Sequence, residues 1–215
     1  MVSPAELKRK FDEFSRDSDG LKRIRDAWKK HERFLQLYPF REDSSRIDEL
    51  TPDRIYNRGG DYYFKWIEHG LKDIGHISVW SATVWENARN DPERLKELLR
   101  VLVDDGKSIA EKIDAPWEHI PRFGGGKQIA KKTLFCYYPK DVIPIFSAAH
   151  LEHFCDALEL DYEGRAKPAF GREYEELTEG RKFELLNDLL FNPNRLGHRN
   201  KQAFRTIKSV DPAYG

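Results

Sequence analysis

Apolar side chains recur along most of this chain at intervals of three and four residues. That period belongs to amphipathic helices, whose buried face repeats every 3.6 residues. Leu7, Phe11 and Phe14 make a first stripe, and Leu21, Ile24, Trp28, Phe34 and Leu35 make a second. Ser3, Pro4 and Glu6 supply the N-cap, first-turn proline and capping-box acid of the first helix. Asp17 to Gly20 reads as a turn, the second helix starts at Leu21, and Pro39 stops it near Leu37. Thr51-Pro52-Asp53 starts a short helix by the same cap logic. After the turn at Asn57–Gly60, Asp61 can cap a helix to about Lys72, with Tyr63, Phe64, Ile67 and Leu71 facing inward.

The second half reads the same way. Trp85 and Ala88 continue a helix, Asn90-Asp91-Pro92 breaks and restarts it, and Leu95, Leu98, Leu99 and Leu102 mark its apolar face. Asp104 to Gly106 ends that helix. A short helix over Ser108–Ile113 and a single turn at Pro116-Trp117-Glu118 follow. Val142 to Phe146 is an apolar extended connector. Ser147 then caps a helix to Leu158, and Asp161 to Gly171 is a loop. Helices from about Arg172 to Leu190 and from Lys201 to Ser209 close the chain. Only Gly75 to Ser81, where Ile77 and Val79 alternate, allows a strand. The predicted fold is all-α: a compact multi-helix domain over 1–215 with few or no strands, divisible at 1–106 and 107–215.

Charge changes this picture locally. Lysine plus arginine (37) balance aspartate plus glutamate (37), so no global field draws the chain to nucleic acid. Two basic segments nevertheless lack any acid. One runs from His119 to Lys140; the other, Leu189 to Val210, carries Arg195, Arg199, Lys201, Arg205 and Lys208. Ordinary solvated helix faces would look the same. The only cysteines, Cys136 and Cys155, indicate no disulfide framework and suit a reducing compartment as core thiols. No apolar run is long enough to span a bilayer and the start of the chain is polar, so a cytoplasmic protein is expected.

The chemistry concentrates in Arg122–Pro139, RFGGGKQIAKKTLFCYYP. Glycines remove the side chains that keep backbone N–H groups from a ligand. A helix follows, opened by Ile129, Ala130, Thr133 and Leu134. Its N-terminus adds unsatisfied donors and a partial positive charge. Arg122, Gly124, Gly125, Gly126, Lys127, Gln128, Lys131 and Lys132 thus form a candidate phosphate site. Arg199, Lys201 and Arg205 are a candidate second contact. The stretch is not a Walker A loop, because Gln128 follows Gly126-Lys127 where Ser or Thr must hold Mg²⁺. No nucleophile elbow occurs. His150 and His153 lie one turn apart near the two cysteines, but not at the i, i+4 spacing of a zincin helix, and Cys155 falls on another face. No catalytic residue, metal or cofactor is assigned.

Trp117 and Ile120 on a first turn, Phe123, the three glycines, and Ile129, Ala130 and Leu134 on a second helix together resemble helix-hairpin-helix modules. The resemblance implies turn amides that grip one DNA phosphate. Ile143-Pro144-Ile145 and Ser147–Leu151 resemble the segment after the hairpin in helix-hairpin-helix DNA glycosylases. Those enzymes imply a catalytic Asp where this chain has Phe146 or Ser147. A wider set is similar to the N-terminal region of McrB-type modification-dependent restriction ATPases. It comprises Tyr38-Pro39-Phe40, Phe64–Glu68, Gly124–Ala130, Tyr137-Tyr138-Pro139, Pro144-Ile145-Phe146 and His150–Phe154. That resemblance implies a DNA-recognition module ahead of an AAA+ motor, either excised or standing alone, in defence against foreign DNA. The expectation is a non-catalytic module binding duplex DNA. Two alternatives remain open: an assembly module docking a partner through aromatics around Trp66 and Trp85, and a base-excision enzyme with a displaced acid.

Overall fold

The computed structural model describes residues 4–77 and 82–191. The all-α reading holds across them. Helix α1 (Pro4–Phe14) leads into α2 (Ser18–Leu37). Asp17 is not part of a separate turn; its carboxylate accepts from Gly20 N–H at 2.9 Å and starts α2 three residues before the apolar stripe. Thr51 caps α3 (Pro52–Ile55) as expected. Helix α4 (Tyr63–Lys65) runs directly into a π-helical turn over Trp66–Gly70, closed by Leu71 N–H on Trp66 O at 2.9 Å. Asp61 does not cap it, since Tyr62 holds that place without a side-chain bond.

One residue separates α5 (Thr83–Asn90) from α6 (Pro92–Val103). Asp91 closes α5 with its N–H on Asn87 O and opens α6 by accepting from Arg94 N–H at 3.2 Å. Ser108 and Glu111 form a complete capping box on α7 (Ile109–Asp114). Helices α8 (Gln128–Tyr137), α9 (Ala148–Ala157), α10 (Tyr162–Phe170) and α11 (Glu179–Phe191) follow.

Two expectations fail here. Asp161–Gly171 is a helix, not a loop: Asp161 caps α10 through Gly164 N–H, and the left-handed Gly171 ends it. The long helix predicted from Arg172 is instead a 3₁₀ turn at Tyr174–Glu176 followed by α11. The described part of the possible strand, Gly75–Ile77, is irregular. The helix expected over Lys201–Ser209 lies outside the described residues.

The buried side chains from Ala27 to Leu190 form one contiguous cluster. Its axis is α8, whose residues from Ile129 to Tyr137 are all buried. A helix enclosed on every side must be apolar all round or must satisfy its polar groups internally. Around it Phe34, Tyr38, Phe40, Tyr63 and Tyr137 meet as a ring cluster, with centroids 5.0–6.1 Å apart. Helix α11 packs across α7 and α9. Asn187 ties α11 to the connector before α9, accepting from Ile143 N–H and donating to Asp141 O, both at 2.8 Å.

Candidate functional site

Phe123 anchors the glycine turn. Its ring is buried edge-on to Phe64 (5.6 Å) and stacks on Trp117 (6.5 Å). The chain then rises to the surface. Gly125 and Gly126 are exposed, and Gly124 is half-buried beside Glu118. Arg122, Gly126 and Lys127 all take positive φ, at 72°, 56° and 53°. That conformation is free for Gly126 but disfavoured for the other two, so the surrounding packing holds the turn. Lys127 N–H donates within the turn, to Gly124 O (3.3 Å). The N–H groups of Gly125 and Gly126 donate to no acceptor among the described residues, and no side chain caps α8. A side-chain carbon at Gly125 would meet nothing within 4 Å. The turn therefore offers two free amides at the open end of a helix.

The lysines do not join them. Lys131 and Lys132 were expected at the turn's surface, and both are fully buried. Lys131 Nζ pairs with Glu179 at 2.5 Å and lies 5.2 Å from the Phe183 ring centre. Lys132 Nζ donates to Leu71 O at 2.8 Å, with the Phe135 and Phe146 rings within 5.7 Å. Lys127 turns back, donating to Ala115 O (3.2 Å) and pairing with Glu118. That pairing holds the Glu118 carboxyl below its usual range. Arg122 is exposed and Gln128 half-buried. Arg199, Lys201 and Arg205 lie outside the described residues. The element before the glycines is a single 3₁₀ turn, Trp117–His119, so a two-helix hairpin is not confirmed.

The sequence carried a signal for the buried lysines. Ile129, Ala130, Leu134, Phe135, Cys136 and Tyr137 occupy every face of the helix, so lysines among them had no outward side left. The aromatic docking face has a similar fate. Trp85 is buried, stacked 4.3 Å from Phe64, and its indole N–H donates to Glu68 at 2.7 Å. Trp66 packs against the core, and its Nε1 is buried without a partner. Burial pushes the Cys136 thiol up to about 11 and the Cys155 thiol up to about 12, which makes both poor nucleophiles.

Lys132 gives a pH test of this burial. Desolvation lowers its pKa in the folded protein, and no carboxylate offsets it. The unfolded chain then holds a proton that the folded chain gives up. Stability should therefore rise with pH between the folded pKa and the unfolded value of about 10.4. Lys132→Met should remove that rise, seen as a smaller gain in urea midpoint from pH 7 to 9.5 than in the parent. Equal gains would show that Lys132 keeps its charge throughout.

No family model, curated protein or solved structure matches the chain. Among the described residues no helix is long and apolar enough to cross a membrane.

Proposed function

We propose that the protein binds nucleic acid, with duplex DNA as the intended ligand and the glycine turn gripping one backbone phosphate. The observation that carries this reading is the pair of exposed, acceptor-less amides at Gly125 and Gly126, at the uncapped start of α8. A contact of this kind fixes the backbone and reads no sequence. The charge available beside it is small. Arg122 is exposed, and Lys127 becomes available only by exchanging Glu118 for phosphate. Lys131 and Lys132 contribute nothing, because reaching solvent would break the core. The similarity to the N-terminal regions of McrB-type restriction ATPases adds a context: a DNA-recognition module serving an AAA+ motor domain or subunit in the cytoplasm. No catalytic step is assigned.

The test is a salt series with a fluorescent duplex. With one or two phosphates neutralised, the slope of log K against log salt should be about −1 to −2. Gly125→Asp places a carboxylate in open space, so the fold is kept. It should weaken binding at least about tenfold, the scale of losing one charge-assisted contact. Lys127→Gln should flatten the slope by about 1. Unchanged affinity in Gly125→Asp would dismiss the glycine turn. A slope near −5 would move the contact to another basic surface.

A further inference from the structure

A second site is built around Lys112, away from the glycines. Its side chain is almost fully buried, at 4% exposure, and forms part of the wall of an open cavity of about 450 Å³. The ammonium has no hydrogen-bond acceptor among the described residues. It lies 3.8 Å from the centre of the Tyr138 ring. The Arg41 guanidinium carbon lies 4.1 Å from the same ring centre. Two cations therefore share one phenol, and an aromatic face offsets only part of the cost of burying an ammonium.

The nearest carboxylate does not fill the gap. Asp105 Oδ1 already accepts from the Tyr138 hydroxyl at 2.8 Å and from Arg41 Nε at 3.1 Å. Those two donors, Tyr138 first, hold the Asp105 carboxyl below its usual range. The wall holds three cations, Arg41, Lys107 and Lys112, against two carboxylates, Asp105 and Asp141. Leu134 and Ile109 give it an apolar side. Tyr138 is occupied by its cations and cannot serve as a stacking platform. The volume exceeds that of a bare inorganic anion and falls in the range of small-molecule sites.

We infer that this cavity binds a small organic anion, its phosphate or carboxylate head accepting from Lys112 and its apolar body resting on Leu134 and Ile109. The site is separate from the glycine turn, and neither proposal depends on the other. Phenyl phosphate and benzoate distinguish the two head groups, and inorganic phosphate reports the head alone.

Titration of the full chain, followed through its backbone amide resonances, is the test. One of the two aromatic probes should bind with Kd below about 1 mM, shifting the amides of Ser108–Lys112 and Tyr138. Inorganic phosphate should bind more weakly than phenyl phosphate. Lys112→Met should weaken binding at least tenfold while the rest of the spectrum stays dispersed. If that variant does not fold, Lys107→Gln supplies the second reading, with a loss of about threefold. Absence of shifts at Ser108–Lys112 with both aromatic probes overturns the site. So does parental affinity in a folded Lys112→Met. Shifts confined to Gly124–Lys127 would also overturn it, while supporting the glycine turn.

Discussion

Lys131→Ala is expected to destabilise the protein by about 2–4 kcal/mol, because it truncates a fully buried side chain and breaks an ion pair whose other member, Glu179, is only partly buried. Lys131 sits at the junction of α8 with α7, α9 and α11. It pairs with Glu179, and the charges of Asp114 and Glu152 also act on it. Taking it away removes the cation on which Glu179, Asp114 and Glu152 all act, and opens a void in the core. Burial pulls its pKa down, the carboxylates pull it back up, and burial has the larger effect. A neutral residue of the same length should therefore be tolerated better than a short one. Lys131→Met should lose about half as much as Lys131→Ala, and adding Glu179→Gln should recover part of the rest. Urea unfolding at pH 7 measures all three. A Lys131→Ala protein as stable as the parent would mean that Glu179 rather than Lys131 bears the cost of the pair.

Gly180→Ala should rank close behind, at about 2 kcal/mol. Alanine in place of glycine inside a helix normally gains up to about 1 kcal/mol. Here the added carbon would overlap the Ala110 carbonyl oxygen and lie 2.7 Å from Asp114 Cγ. A backbone oxygen cannot rotate away, so α7 and α11 must separate, at about 1–3 kcal/mol or more for overpacking. Separation also strains the way Asp114 holds the start of α11. Its carboxylate accepts from Gly180 N–H at 2.8 Å and from the Thr178 hydroxyl at 2.5 Å. The melting midpoint should fall by roughly 4–8 °C. Gly125→Ala, with nothing nearby to meet, is the matched control and should leave it unchanged. A Gly180→Ala midpoint equal to the parent's would show that α7 and α11 can part without penalty.

The helices were legible wherever a cap and a stripe coincided. Thr51 before Pro52, Asp91 before Pro92, and Ser108 with Glu111 each start a helix where expected. Helix α10 was hidden because Gly164 and Pro168 break its propensity. It forms through its Asp161 cap, with only Ala166 buried. At the candidate site the exposed glycine turn could be read directly, since three glycines leave nothing to cover it. The lysines beside it carried only an indirect signal, the apolar residues on every face of their helix, and their partners could not be read. Their direction depends on how many neighbours enclose α8, and each neighbour comes from a distant part of the chain. Asp105, Tyr138 and Arg41 converge for the same reason, with Arg41 64 residues from Asp105 and Asp105 33 from Tyr138, and no spacing announces them.

The enclosed position of α8 also decides where this protein can loosen. Amide protons between Ile129 and Tyr137 can exchange with solvent only when the whole cluster opens, because every side of that rod is roofed. Fraying at the rim, in α1 or α10, leaves the rod in place. The glycine turn is the rod's exposed tip, so its shape is inherited from the most protected segment of the chain.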